Sequence, residues 1–179
     1  MNNFMVDLET MGTRPYSVIA SIGVVQFDIE SGKIGEKFYH TIDQASCLKL
    51  GLSKDQATID WWKKQDVNIY SQLLVNTQPI KLVLKELNRF LDLAYPRKDF
   101  RFMWGNSAAF DLGLLLCAYE RAEIEVPWQF YNERCCRTVV SLNPSIRAGI
   151  PKPRGAHDAI VDCEHQIEYV VKTIDSFRF

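Results

Sequence analysis

Three stretches of this chain place carboxylates where carboxylates are expensive. In MNNFMVDLET, Asp7 sits between Val6 and Leu8, and Glu9 follows two residues later. Asp111 comes after WGNSAAF and before an apolar run. In GAHDAIVDCEHQ, Asp158 and Asp162 are one helical turn apart, and His157 stands five residues before Asp162. A carboxylate moved into apolar surroundings is costly unless something pairs with it. Four of them about 5 Å apart would repel by about 3 kcal/mol per pair at an effective dielectric of about 20. No Lys or Arg lies inside the three stretches to relieve them. Two outcomes remain: protons are retained, as in shared-proton dyads, or divalent cations bind. An all-oxygen donor set suits Mg²⁺ or Mn²⁺ rather than zinc. Two such ions about 3.5–4 Å apart form the usual clamp for in-line displacement at a phosphodiester. A neutral histidine near the attacking water has a pKa suited to taking its proton.

The elements that must position these groups can be read from pattern. Residues 4–8, 18–29 and 33–42 read as three strands, with Ser31-Gly32 as a turn between the last two. Successive strand side chains alternate between faces, so Asp7 and Glu9 project to the same side. Thr10-Met11-Gly12 is a turn-like exit, which puts the pair at a C-terminal strand edge, where open α/β sheets hold ligands. Residues 55–65 form a helical segment. Pro79 starts another, with Ile80, Leu84, Leu87 and Leu91 at helical spacing. A short strand at 100–104 ends at Gly105-Asn106 and leads into a helix over 109–121. The stretch 127–153 is irregular, a long surface excursion rich in proline and arginine. A last helix begins near residues 156–159 and carries an apolar stripe from Ile160 to Ile174. Gly155 lets the loop bearing His157 bend, and Asp158 is an ordinary helix cap. The pattern predicts an α/β fold with a mixed central sheet flanked by helices.

Bulk properties narrow the function. At 179 residues the chain fits one domain with a proper core, so residues 1–179 are expected to be a single domain. The 47% hydrophobic and 24% charged content is that of a soluble globular protein. No apolar run spans a membrane and no secretory pattern opens the chain, so a cytoplasmic location is expected. Five cysteines without a CxxC pair read as reduced core residues. A net charge of −1 argues against coating long duplex DNA, but not against gripping a few nucleotides at one end.

The ordered set DLET, an Asp after WGNSAAF, and HDAIVD is similar to the three exonuclease motifs of the DEDDh group. That group belongs to the DnaQ-like or RNase T-like superfamily, with an RNase H-like fold. The likeness runs from Asp7 to Asp162. The group's tyrosine variant carries its phenol four residues before the last Asp; that position here is Asp158, so the histidine form fits. The resemblance implies that Asp7, Glu9, Asp111 and Asp162 hold two Mg²⁺ (or Mn²⁺) ions and that His157 is the general base. It implies a 3′–5′ exonuclease that shortens single-stranded RNA or DNA and releases nucleoside monophosphates, in a family whose members often act as homodimers. ATIDWWKKQ also resembles a small exoribonuclease subgroup of mycobacteria and phages, which tilts the expected substrate toward RNA. Many relatives carry ETTG where this chain has Glu9-Thr10-Met11-Gly12.

Further substrate contacts are expected from Thr10 and Met11 at the strand exit, with Met11 offering apolar surface to a base. Trp61 and Trp62 cannot both face one way. Core packing is the ordinary role for each, and Trp62 as a wall against a base is the functional alternative. Asn106, Ser107 and Phe110 stand beside Asp111, where they either touch the terminal nucleotide or simply close a loop. Lys152 and Arg154 either contact phosphate or form a solvated basic turn. Taken singly, Asp111 reads as a helix cap and His157 as structural. His40 and His165 have no partner pattern and read as structural or exposed. Two other functions compete: a nucleic-acid-binding module with an inactive site, and a phosphodiesterase for small nucleotides.

Overall fold

Phe4, Val6 and Leu8 face one side of the first strand, and Met5, Asp7 and Glu9 face the other; that alternation organises the whole molecule. The computed structural model describes every residue except 66, 154, 156 and 179. Strands β1 (Asn3–Thr10), β2 (Ile19–Phe27) and β3 (Ile34–Thr41) form an antiparallel meander. Three short helices follow: α1 (Gln44–Lys49), α2 (Gln56–Trp62) and α3 (Val67–Gln72). Asp43 and Asp55 cap the first two through their side chains. Helix α4 (Ile80–Ala94) begins after Pro79 and buries Ile80, Leu84, Leu87 and Leu91, as their spacing predicts.

Strand β4 (Phe102–Gly105) pairs parallel to β1, and the chain then winds through a π-helical turn, Ala108–Leu112, into α5 (Gly113–Ala122). A further strand, β5 (Glu133–Cys135), pairs parallel to β4. Helices α6 (Cys136–Val140), α7 (Pro144–Gly149) and α8 (Ala159–Asp175) complete the chain. The sheet order is β3-β2-β1-β4-β5, so the expected mixed sheet is present, with β1 at its centre.

Two apolar cores lie on opposite faces of the sheet. Phe4, Val6 and Leu8 pack with α4 and α5, while Met5, Val25 and Phe27 pack with Cys163, Ile167 and Val170 of α8. Strand β1 is buried along its whole length, which explains its near-continuous apolar reading. The five thiols are unpaired, and Cys47, Cys136 and Cys163 are buried.

Two readings need correction. The stretch 127–153 is not an irregular excursion, because it contains the fifth strand and two short helices. Glu133-Arg134-Cys135 has no apolar alternation, and its neighbours in the sheet, not its own pattern, make it a strand. The helix expected over 109–121 begins with a π-turn, in which the Gly113 N–H reaches back to Ala108 O.

Candidate active site

The sheet register and two close backbone approaches bring the acids together. Asp7 lies opposite Gly23 on β2. A Cβ on Gly23 would fall 2.7 Å from Ala159 Cβ and 2.8 Å from the Ala159 carbonyl carbon, so only glycine lets the start of α8 settle onto the sheet there. Asp162, in the first turn of α8, is thereby carried toward β1. Gly105 does the same for Asp111, whose Cβ would be 3.0 Å from a Cβ at that position. The register shifts between Glu9 and Thr10, a local irregularity of the kind that re-aims side chains beside functional sites.

Three of the four acids have a specific polar contact. Gln166 Nε2 donates to Asp7 Oδ1 at 2.7 Å, and the Ser107 N–H donates to Asp111 Oδ2 at 3.0 Å. The His157 N–H donates to Asp162 Oδ2 at 3.0 Å. Asp158 caps α8 through the N–H groups of Ile160 and Val161, the ordinary role expected of it. His157 has φ of +72°, a left-handed backbone that costs a non-glycine residue about 1–3 kcal/mol. Its ring meets Trp61 edge-on at 5.1 Å and Trp62 at 6.0 Å between centroids. Trp62 Nε1 in turn donates to Thr10 O at 2.9 Å, tying this aromatic group to the end of β1.

These groups line a cleft of about 650 Å³. Ligand atoms of Glu9, His157 and Asp162 all lie within 4.8 Å of one another. Burial drives every carboxyl in the site upward. Asp7 rises well above its ordinary value through burial and then the charges of Asp111 and Asp162. Glu9 is pushed up to about 9, by burial first and Asp7 next. Asp111 reaches about 6, because the backbone N–H of Ser107 and the Arg137 charge oppose its burial. Asp162 is also raised by burial, against the His157 N–H. One hydrogen bond to a charged group contributes about 1.5–3 kcal/mol, whereas burying an ion costs several. Gln166 alone therefore cannot keep Asp7 ionised. The donor set fits hard divalent cations: clustered carboxylate oxygens with one imidazole beside them. Gln166 Oε1 is buried with no hydrogen-bond partner among the described residues, a further acceptor at the floor of the site.

Asp7, Glu9, Asp111, Asp162 and His157 line one cleft, and Asn106, Ser107, Phe110 and Lys152 line it as well. Three expected contacts do not. Met11 is 1% exposed and packed into the core, so it offers no surface to a base. Thr10 is buried, with its hydroxyl donated to Gly12 O. Trp62 is 2% exposed, because its indole packs inward and bonds Thr10; the exposed member of the pair is Trp61, at 42%. Arg154 lies outside the described residues. His165, read as having no partner, lines the cleft with its ring 5.4 Å from Tyr169. His40 also has a partner, with Nε2 3.5 Å from Glu86 Oε2.

Sequence reasoning missed Gln166, Arg137, Arg147 and Tyr169, which also line the cleft. Gln166 was legible, since it lies one helical turn beyond Asp162. The two arginines were not, because the stretch that bears them gives no periodic signal.

A mixed five-stranded sheet with this helical cover is the RNase H-like fold of the DEDDh, DnaQ-like exonucleases. Residues 2–174 match the model of the 3′-5′ exoribonuclease Rv2179c-like domain, and the chain belongs to that family. The protein is thus a 3′–5′ exonuclease, and enzymes of this kind use divalent metal ions. The exodeoxyribonuclease of Enterobacteria phage T4 is 23% identical over 198 residues, covering 93% of this chain and 86% of the relative. Among solved structures, cell-death related nuclease 4 (CRN-4) superposes with a TM-score of 0.70 at 13% identity, over 98% of this chain and 64% of that one. The nuclease domain of 3′hExo, a DEDDh family member bound to rAMP, gives 0.67 at 13% identity, over 98% and 92%. Among the described residues no helix is long and apolar enough to cross a membrane.

Proposed function

We propose that the chain is a single exonuclease domain over residues 1–179 that trims single-stranded nucleic acid from its 3′ end, with RNA slightly ahead of DNA, and releases nucleoside 5′-monophosphates. The observation that carries this reading is the convergence of three buried carboxyls and the half-buried Asp162 with His157 in one cleft. Asp7, Glu9, Asp111 and Asp162 would hold two divalent ions, Mg²⁺ or Mn²⁺. Such ions, when bound, supply Lewis acidity to the attacking water and to the departing 3′ oxygen.

The rest of the chemistry falls to the chain's own groups. The His157 imidazole takes the proton of the attacking water, and its packing against Trp61 and Trp62 limits where the ring can swing. Water adds to the terminal phosphorus, the bond to the penultimate 3′ oxygen breaks, and that oxygen leaves as an alkoxide that takes a proton from solvent to become the new 3′-hydroxyl, while His157 returns its proton to solvent. Asn106, Ser107 and Phe110 stand beside Asp111, where the terminal nucleoside would lie. Asn106 Oδ1 is already fixed by the Tyr169 hydroxyl at 3.1 Å, which restricts its orientation toward a ligand.

The name of the phage T4 relative favours DNA as the second reading. Matched 5′-labelled RNA and DNA strands, incubated with Mg²⁺ or Mn²⁺, test both. A ladder shortening stepwise from the 3′ end, faster on RNA, is expected. Equal or faster shortening of DNA would reverse the preference, and strand binding without shortening under either metal would leave a binding module with an inactive site.

A further inference from the structure

Most cations of this protein that pair at all pair with nearby acids: Lys37 with Glu164, Lys98 with Glu125, Arg101 with Asp92, Lys172 with Glu168. Many other cations make no ion pair among the described residues, and three of those are set apart by where they stand. Arg137, Arg147 and Lys152 line the cleft, are exposed, and make no ion pair among the described residues. All three come from the segment after β5, whereas the acids come from β1, the π-turn and α8. Arg147 is also held in place, with its guanidinium 5.2 Å from the centroid of the Tyr169 ring. Tyr169 is fixed in turn by its bond to Asn106, next to the loop that presents Asp111.

Charge accounting separates the tasks of the two groups. Four carboxylates and two divalent ions sum to zero, so the metal side can serve the scissile phosphate. The other phosphates of a strand each bring a negative charge and find nothing attractive among the acids. They need cations supplied by the chain. We propose that Arg137, Arg147 and Lys152 form a clamp for the non-scissile backbone phosphates, so that this nuclease selects strands of several nucleotides over dinucleotides. The clamp deepens the nuclease reading of the cleft and rests on it.

The test compares Arg147→Ala, Lys152→Ala and Arg147→Lys with the native protein on a single-stranded RNA hexanucleotide and a dinucleotide, whose one phosphodiester is the scissile one. The ratio of kcat/KM between hexanucleotide and dinucleotide should fall by about tenfold in Arg147→Ala, the scale of one charge-assisted hydrogen bond. Arg147→Lys should recover part of it, which a loss of folding would not allow. A second arm needs no turnover: anisotropy of a fluorescein-labelled RNA hexanucleotide, with Ca²⁺ in place of Mg²⁺, read against salt. Each alanine variant should lower the log–log salt slope by about 0.7. An unchanged ratio together with an unchanged slope, in variants whose thermal midpoint matches the native protein, overturns the clamp. Equal losses on both substrates would also overturn it, by placing the cations at the scissile phosphate. If the native protein shortens neither substrate while the slope still falls, the nuclease reading fails and the clamp stands as a strand-binding surface.

Discussion

The two walls of the cleft are built on opposite principles. The acidic wall is rigid by construction: Asp7 and Glu9 ride on a wholly buried central strand, and Gly23 and Gly105 admit the backbone and side chains that bring Asp162 and Asp111 beside them. The cationic wall rests on α6 and α7, helices of five and six residues, and on Lys152 just beyond them, with its charged groups exposed. On the proposed reading, the difference follows from what each wall would do. Placing catalytic carboxylates demands a fixed frame, since small displacements there cost large factors in rate. Gripping a phosphate backbone tolerates play, because a guanidinium or ammonium acts over a longer range and on a repeating target.

Changes to the acidic wall should therefore be severe, and graded by distance from the reacting atoms. Asp162→Ala should reduce stepwise shortening of a labelled strand to background; measurable turnover in this variant would detach α8 from the chemistry. His157→Ala should lower kcat by about 10²- to 10⁴-fold, the range for a lost general base, while Mn²⁺ binding followed by calorimetry persists. Full activity across neutral pH would end the general-base assignment. Gln166→Leu removes the donor to Asp7 and should cost about 10- to 100-fold in metal affinity or activity, as when an outer partner of a ligand is lost.

Smaller effects sharpen the contrast through stability. Gly23→Ala inserts a methyl group 2.7 Å from Ala159 Cβ and should destabilise by about 1–3 kcal/mol in denaturant titration, whereas Gly149→Ala, with nothing within 4 Å, should show no comparable clash. The pH dependence follows from the raised carboxyls. Glu9 moves from an ordinary 4.5 up to about 9 and Asp111 from 3.8 up to about 6, so the metal-free folded chain binds more protons than the unfolded chain between those values. Stability in EDTA should then be highest below about pH 4.5 as far as these groups are concerned, and be lost progressively as pH rises toward about 9. Added Mg²⁺ should raise the melting temperature most at the upper end, where fewer protons compete with it. A melting temperature in EDTA that stays level over this window would mean that the carboxyls are not held together as described.

Much of the acidic wall was legible before folding, and the reasons are local. Period-two alternation puts Asp7 and Glu9 on one face of any strand, and the Asp158 cap fixes where α8 starts and hence where Asp162 points. The tryptophan pair was legible only as a division of labour. Adjacent positions on a helix cannot share a face, but which ring goes inward depended on the Thr10 carbonyl waiting for an indole N–H. Of the cationic wall only Lys152 was a candidate; Arg137 and Arg147 gave no such signal. Glu133-Arg134-Cys135 became β5 only because β4 offered a parallel edge, and that pairing set where α6 and α7 could run.

By itself the sequence determined the order of the first four strands and the long helices and the presence of a mixed sheet, because these follow from short-range periodicity, capping and turn chemistry; the carboxylate set with its histidine came from the ordered motifs and the family they resemble. Only the tertiary structure decided that Met11 and Trp62 are core, that Gln166 holds Asp7, and that Arg137, Arg147 and Lys152 face the acids across one cleft. Those are contacts between residues distant along the chain, fixed by sheet register and by how closely α8 can approach at Gly23, and no local pattern encodes them.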